Sequence, residues 1–346
     1  MDYYRWWATY ELIIYLYEKW DKFLLFVQAV KEADDVATFY DANVKPVQIT
    51  GKRIARLRAL LDTPTKRAYM KLELGVISIA AKPLIEGTYI LEGDGATSLL
   101  TYDVLFHCFC HLKRYAEIDL DKWSEVPSDL KAIIDESVDT ILSSFNFTNK
   151  PLKDDLRKEH MARTQIILAE AMSYFKSTIY DFDSQANASK LKDDIAIYEM
   201  CRLFDPIGLR AMASQPSWSD VLRLTQNIWD ASVDSGKRAP IFDDEDLSAM
   251  SKEWPVYLRL ISRVEINEED GNPNYRMERA LDWWRNADAN RLPNLCKFAR
   301  YCLILVSSSG AAERVFSRLK NYSMVQMKSS YEDVTELQVM SQFNHM

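Results

Sequence analysis

The sequence predicts a nearly all-α protein, and two observations support that prediction. Glycine is scarce, with 9 residues in 346, whereas an average protein has roughly 7% glycine. Leucine, alanine, lysine, glutamate and methionine recur at helical spacing, and these residue types favour long helices. No segment repeats with a fixed period, so a solenoid is not indicated.

The N-terminal third contains three predicted helical stretches. Apolar residues between Trp6 and Val30 recur with the period of an amphipathic helix. A second stretch, Gly51 to Leu61, places four cations around an apolar stripe. A long helix is predicted from Thr63-Pro64, since proline suits a first turn, to Gly93-Asp94-Gly95.

Further helices are predicted along the rest of the chain, separated by polar breaks. The breaks are Asp181–Ser189, Asp234–Asp246 and Asn267–Asn274, and the last is the clearest boundary. The predicted helices cover about 97–116, 127–144, 152–180, 190–204, 217–233, 276–286, 293–305, 311–321 and 331–344.

Charge and cysteine content limit the classes of function. A net charge of −8 and a pI of 5.3 argue against a dedicated DNA-binding module, which normally carries a basic surface. The five cysteines lie in apolar helical patterns, which suits buried thiols in a reducing compartment. We find no apolar run of the ~18 residues that a membrane span needs and no signal peptide. We therefore expect a soluble intracellular protein.

The C-terminal part carries the most specific motifs. Leu281-Asp-Trp-Trp-Arg is followed by Leu292-Pro-Asn-Leu, Phe298-Ala-Arg and Ser307-Ser-Ser-Gly-Ala-Ala-Glu-Arg-Val-Phe-Ser317. This order resembles the Trp-containing helix, the "yP-x-L" motif, the "lAr" helix and the "SSaasERvFS" signature of hAT-family DNA transposases. The last string is too long and too mixed in chemistry for a chance match.

Three further stretches extend the resemblance in the family's order. Arg5-Trp6-x-x-x-Tyr10 is similar to the "RWxSxY" entry to the family's helical insertion. Thr88-Tyr-Ile-Leu-Glu-Gly-Asp-Gly95 and Phe204-Asp-Pro206 are similar to a "TyxLEGDG" run and an "FdP" turn within it. The resemblance implies a helical insertion-like region over 1–266. It also implies a dimerisation region over 275–346, the helical remnant of an RNase H-like core.

The chain also departs from the family. The BED-type zinc finger and the first two catalytic aspartates have no counterpart here, and we expect them to belong before residue 1. Ala312 stands where the family has serine, and Val306 stands where it usually has proline.

Glu313 corresponds, by this resemblance, to the third acid of the family's Asp-Asp-Glu triad. Such chemistry needs three carboxylates around two divalent ions, Mg²⁺ or Mn²⁺ in an intact member. With one carboxylate of three, we expect this chain to bind no cofactor and to be inactive. The alternative is a first-turn glutamate favoured by the helix dipole after a Ser309 or Gly310 cap.

Two apolar stripes are predicted on the last helices. The first is Val315, Phe316 and Leu319, and the second is Val334, Leu337 and Met340. Ordinary core packing is one interpretation. The other is a self-association surface, which predicts a homodimer.

Possible DNA contacts lie near the N-terminus. Trp6 resembles the tryptophan that hAT enzymes place near the transposon end, beside Arg5, although a core aromatic is the simpler interpretation. Weak phosphate contact is predicted for one basic helix, with a solvated face as the alternative. Its cations are Lys52, Arg53, Arg56 and Arg58.

Two other groups invite a chemical interpretation. His107 and His111 are one helical turn apart and could share a zinc ion. Cys108 and Cys110 cannot join them on one face, so satisfied histidines and buried thiols are favoured. Asp94 follows an apolar run as a strand-end catalytic aspartate would, but its flanking glycines favour a loop acid.

These observations predict a transposase-derived nuclear protein that dimerises, lacks catalytic activity, contacts DNA weakly and does not bind a membrane. One alternative is the C-terminal part of an active transposase that cleaves and transfers DNA strands with two metal ions. Another is a helical scaffold without a nucleic-acid role, which fits the acidic charge but leaves the "ERVFS" signature unexplained.

Overall fold

The computed structural model of the chain confirms the nearly all-α prediction. Among the described residues the only strands are Val36–Tyr40 (β1) and Pro46–Thr50 (β2), which pair antiparallel, Val36 opposite Thr50. The structure describes residues 6–32, 36–40, 46–50, 59–92, 95–119, 122–145, 150–184, 192–224, 244–287 and 289–305.

The chain forms two compact units. Unit 1 comprises Met1–Ile85 and Cys108–Ser177, and unit 2 comprises Glu86–His107 and Thr178–Met346. The division predicted from the resemblance, 1–266 and 275–346, follows family segments rather than compactness, and it stays a prediction.

The described helices of unit 1 follow the predicted periodicity. The predicted helix from Trp6 is interrupted at Lys19, although hydrogen bonds from Lys19 N to Tyr15 O (2.9 Å) and from Phe23 N to Lys19 O (3.0 Å) carry the chain across. Most of the stretch from Gly51 to Leu61 lies outside the described residues. Wholly or in part, unit 1 contains α1 (Trp6–Glu18), α2 (Trp20–Glu32), α3 (Pro64–Leu91), α4 (Ser98–Ala116), α5 (Ser128–Ser144) and α6 (Lys150–Thr178).

Unit 1 is held by apolar faces of α3, α4, α5 and α6. Leu72, Phe109 and Ile134 are fully buried representatives of the first three helices. At Gly75 the helices approach closely, because an added Cβ would lie 2.8 Å from Ile133 Cγ2. Glycine at this position therefore allows α3 and α5 to pack together.

A proline within α3 is matched by a histidine on α4. Pro83 has no N–H, so the carbonyl of Ile79, four residues earlier, loses its helical donor. His111 Nε2 lies 3.0 Å from that Ile79 oxygen and must donate to it, because a carbonyl only accepts. This contact gives His111 a hydrogen-bond partner, in keeping with the prediction of a satisfied histidine.

Helix α3 is the one helix among the described residues that is long and apolar enough to cross a membrane. An 18-residue stretch of α3 has a mean hydropathy of 1.4, and 33% of that stretch is buried. The sequence prediction found no such run, because α3 carries scattered charges. On α3, Ala68, Leu72 and Val76 are buried.

The described helices of unit 2 surround an aromatic core. The 3₁₀ turns are Arg202–Phe204 and Glu268–Gly271, and the latter lies in the predicted boundary Asn267–Asn274. The predicted helices 311–321 and 331–344 lie outside the described residues. Besides parts of α3 and α4, unit 2 contains α7 (Lys192–Cys201), α8 (Pro206–Ala211), α9 (218–224), α10 (Asp244–Ile261), α11 (Pro273–Asn286) and α12 (Pro293–Ile304).

The cysteines are free thiols. Cys108, Cys201, Cys296 and Cys302 are buried, as predicted, whereas Cys110 is exposed. The prediction was wrong for Cys110 because residues two apart on a helix face different directions.

The contact between His111 and the Ile79 carbonyl gives a testable double-mutant cycle. His111→Phe should lower the free energy of unfolding by about 1–2 kcal/mol, because a partly buried carbonyl loses its donor. In a Pro83→Ala background the restored N–H supplies that carbonyl, so the same change should cost less. Urea unfolding of the four proteins measures both costs. Equal costs in both backgrounds would contradict the donation from His111 to the Ile79 carbonyl. The control is His107→Phe, at an exposed histidine on α4.

Candidate functional site

The predicted site residues lie almost entirely outside the described residues. Trp6 is the first residue of α1, but its side chain is not described, and the loop acid Asp94 is not described either. The remaining site assignments stay predictions: Arg5, Lys52, Arg53, Arg56, Arg58, Glu313, Val315, Phe316, Leu319, Val334, Leu337 and Met340.

The part of unit 2 that bears on function is the packing around the tryptophans of α11. Trp284 is buried, and its Nε1–H donates to the Phe204 carbonyl at 2.6 Å. Its ring centroid lies 5.2 Å from that of Tyr257 and 5.9 Å from that of Phe204. Trp283 meets Tyr257 edge-on at 5.4 Å. The Leu281-Asp-Trp-Trp-Arg motif thus contributes directly to the core of unit 2.

The Phe204-Asp205-Pro206 turn is the point to which α11 is fastened. Pro206 begins α8, and Asp205 caps that helix by accepting from Ile207 N at 3.0 Å. This arrangement suits proline, which lacks the N–H that a first helical residue leaves unpaired. The turn seen in the sequence is therefore a helix N-terminus.

A buried ion pair joins this turn to α11. Asp205 is 0% exposed, and Arg276 Nε donates to its Oδ2 at 2.5 Å. Desolvation raises the pKa of Asp205, while Arg276 and the backbone N–H groups of Gly208 and Ile207 act in the opposite direction. A charged carboxylate at this depth depends on that partner, because an unpaired buried charge is costly.

Gly208 makes room for the pair. A Cβ at this position would overlap Arg276 Nη2 and lie 2.7 Å from Asp205 Oδ2. A residue with a side chain at this position would therefore displace the guanidinium that crosses α8 and weaken its contact with Asp205.

Asp103 on α4 extends the ion pair into a small network. Its carboxylate lies 3.4 Å from Arg276 Nη2 and 3.4 Å from Arg202 Nη1. The Arg202 guanidinium lies over the Tyr102 ring, with Cζ 4.5 Å from the centroid. The two arginines are thereby held by acids and an aromatic face.

The N-terminus of α12 is capped from another helix. Its own N-cap residue, Leu292, has no side-chain acceptor, and Glu253 on α10 takes that role. The Glu253 carboxylate accepts from Asn294 N at 3.1 Å, from Leu295 N at 2.8 Å and from Asn294 Nδ2 at 2.8 Å. Glu253 thereby pairs two N–H groups that helix geometry leaves free and places negative charge at the positive end of α12.

The turn before α11 is held in a similar way. Arg279 donates to Asp270 and, at 2.9 Å, to the Glu265 carbonyl. Desolvation acts to raise the pKa of Asp270, but hydrogen bonds from the Asn267 backbone and Arg279 outweigh it and hold that pKa below its ordinary value. The predicted boundary Asn267–Asn274 is thus well bonded within the described residues.

The acids of this site have hydrogen-bond and ion-pair partners within the protein. Within the described ranges, no group of three His, Cys, Asp or Glu residues is placed to hold a metal ion. The acids above are occupied by arginines and by helix N–H groups. This arrangement fixes α11 and α12 in place.

Residues 257–343 match a family model described as the hAT family C-terminal dimerisation region. The match confirms the resemblance to the C-terminal part of a hAT-family transposase that the motifs indicated. It begins at Tyr257 inside α10, contains α11 and α12, and leaves residues 1–256 outside it. No curated protein and no solved structure matches the chain.

Sequence reasoning missed the residues that hold this region. Asp205 before Pro206 is a helix-start signature, so its capping role was accessible from the sequence. Glu253 lies beside the buried Trp254 on α10, and a glutamate on a buried face signals a required partner. The identity of either partner depends on tertiary contacts and has no sequence signal.

Gly208 provides the sharpest test of this geometry. Gly208→Ala should lower the free energy of unfolding by about 1–3 kcal/mol, because the added methyl overpacks the contact between Arg276 and Asp205. Gly271→Ala is the matched control, since a Cβ there meets nothing within 4 Å, and it should change stability by less than about 0.5 kcal/mol. Urea unfolding measures both. Equal losses in the two variants would show that Gly208 does not make room for the ion pair.

Proposed function

We propose that this chain is a self-association module of transposase descent, forming a homodimer through its C-terminal region. The observation that carries the proposal is the match of residues 257–343 to the hAT dimerisation region. The predicted apolar stripes, which include Phe316 and Leu337, fall inside that match.

The described part of the region supports this proposal. Glu253 and Arg276 fix α12 and α11 (above), so the region starts from rigid helices. Ile304, the last residue of α12, is 73% exposed. A fixed helix that ends in an exposed apolar side chain suits a surface that a second copy covers.

The oligomeric state tests the proposal directly. Light scattering of the whole chain in moderate salt should return about twice the monomer mass, as an isologous pair requires. Leu337→Asp should shift the dimer towards monomer, because burying an unpaired charge at an interface costs several kcal/mol.

Leu12→Asp is the control, because Leu12 lies on α1 and is 54% exposed. It should leave the mass unchanged. A strict monomer at high micromolar concentration would overturn the proposal, as would equal effects of the two substitutions.

We further propose that this chain, taken alone, does not cleave DNA. Glu313 is the one residue that the resemblance aligns with the three-acid triad, and a single carboxylate does not hold two divalent ions. The competing proposal is the C-terminal part of an active transposase. Strand cleavage by the purified chain with Mg²⁺ or Mn²⁺ that is lost in Glu313→Gln would favour the competitor.

Weak DNA contact is the second proposed function, and exposed cations on α10 favour it. Lys252 and Arg259 are exposed and seven residues apart, so they share a helix face, and the exposed Arg263 follows the helix end. Among the described residues none of the three forms an ion pair of 4.0 Å or less. Attraction between charges is screened over about 8 Å at physiological salt, so a local basic face can act on a chain of net charge −8.

The predicted affinity follows from the number of cations. Three cations release few counterions, so the salt slope should be shallow, about −0.9 per phosphate neutralised, and Kd should be roughly 10⁻⁴ M. Lys252→Glu with Arg259→Glu should abolish this binding in titrations of labelled duplex at two salt concentrations. Arg285→Glu is the control, because Arg285 is exposed but paired with Asp282 at 3.1 Å.

Two outcomes would contradict this account. Sub-micromolar affinity at physiological salt, lost on changing Arg53 and Arg56 to glutamate, would place the DNA interface on the predicted basic helix instead. No measurable binding at low salt would favour the scaffold without a nucleic-acid role. Nuclear localisation and the absence of membrane binding are part of the same proposal.

A further inference from the structure

A buried histidine in unit 1 takes part in a series of hydrogen bonds that has one proton fewer than it has contacts. His160 on α6 is 0% exposed. Its Nδ1 lies 2.7 Å from the Leu156 carbonyl, and its Nε2 lies 3.0 Å from Ser137 Oγ on α5. Ser137 Oγ also lies 3.0 Å from the Ala68 carbonyl on α3. This series of contacts therefore links α6, α5 and α3.

In the neutral form these contacts outnumber the protons that are available for them. The two carbonyls at the ends accept only, so the three contacts need three protons. A neutral imidazole and a serine hydroxyl supply two. The Leu156 carbonyl fixes the proton of the neutral ring on Nδ1, and Nε2 and the Ala68 carbonyl then compete for the single Ser137 proton. An imidazolium would supply the third proton.

The magnitudes decide which form is present at neutral pH. Completing one hydrogen bond contributes about 1 kcal/mol, whereas burying an ionised group without a counter-ion costs several. Burial correspondingly lowers the pKa of His160, although the Leu156 carbonyl and Glu159 act to raise it. The neutral ring is therefore favoured in the folded chain.

The charged groups around His160 are already occupied. On α6, Glu159 accepts from the Tyr69 hydroxyl, and Arg163 pairs with Glu73 of α3. Tyr69 of α3 stacks on the imidazole with centroids 5.0 Å apart.

The acids beside Ser137 on α5 also have partners. Asp135 is bound by Arg157 at 2.7 Å, and Glu136 is bound by Lys71 at 2.5 Å. Thr164, one turn along α6, has a buried hydroxyl without a hydrogen-bond partner. No described acid lies within hydrogen-bonding distance of the His160 ring, because its two nitrogens face the Leu156 carbonyl and Ser137.

We infer that His160 is an acid-sensitive lock of unit 1: the buried imidazole is neutral in the closed form, and its protonation, with no acid in hydrogen-bonding reach, opens the unit. A histidine whose folded pKa is depressed stabilises the fold above its unfolded pKa of about 6.5, and that contribution is lost as pH falls below it. Because only the open form binds this proton, each pH unit below the unfolded pKa shifts the equilibrium towards the open form by up to about tenfold.

Hydrogen exchange of the whole chain, measured at the amides near His160, tests the lock. Amides of α6 around His160 should exchange faster in His160→Gln than in the wild type at about pH 7.5, above the ordinary imidazole pKa of about 6.5. The rate ratio of variant to wild type should shrink towards one at about pH 5.5, because acid opens the wild-type lock. His107→Gln is the control and should give a ratio near one at both pH values.

A ratio that stays constant or grows with acid would overturn the inference. Should His160→Gln fail to fold, ring ¹⁵N spectra of the wild type decide, with His160 assigned by the shift that Ser137→Ala causes at its Nε2. A neutral ring protonated on Nδ1 at about pH 7.5, above the ordinary imidazole pKa, is expected. An imidazolium at that pH would overturn the lock.

Discussion

The buried carboxylate of Asp205 is the constraint on which unit 2 depends. Asp205 is fully buried, caps the N-terminus of α8 and binds Arg276 of α11. Because a charge at that depth is tolerated only when paired and hydrogen-bonded, the position of α11 is set by the turn. Gly208 leaves the space for the arginine to cross, and Trp284 completes the same joint by donating to the Phe204 carbonyl.

The segment that matches the dimerisation region is therefore not a separate body in the described part of the chain. Glu253 and Asp205 both precede residue 257, yet they hold α12 and α11, respectively. The family match marks a stretch of related sequence, whereas the hydrogen bonds mark what must fold together. In our account the self-association surface rests on this larger core.

The sequence predicted most helices because periodicity and caps are local. The helix Pro64–Leu91 is an example, since Thr63-Pro64 predicted its start and the Gly93-Asp94-Gly95 sequence predicted its end. The Phe-Asp-Pro turn was likewise visible, but its arginine partner was not, because residue 276 is 71 positions from Asp205. The donation of His111 to the Ile79 carbonyl and the capping of α12 by Glu253 were not predicted either, because these partners are also far apart in the sequence. Glu313 and the Arg5-Trp6 motif were predicted from resemblance, whereas the basic helix and the apolar stripes were predicted from the residue pattern. All of them lie outside the described residues except for the backbone of Trp6.

Hydrogen exchange in Arg276→Met tests the central claim most directly, because it removes the partner of Asp205 and keeps the aliphatic stem. We expect protection to fall together in α8, α11 and α12, by at least about tenfold, since breaking a buried ion pair is strongly destabilising. Protection of α5 in unit 1 should not change. Arg285→Met, at an arginine 72% exposed, should leave all four helices as protected as in the wild type. Unchanged exchange of α11 and α12 in Arg276→Met would contradict the claim that the Asp205 turn holds the dimerisation region.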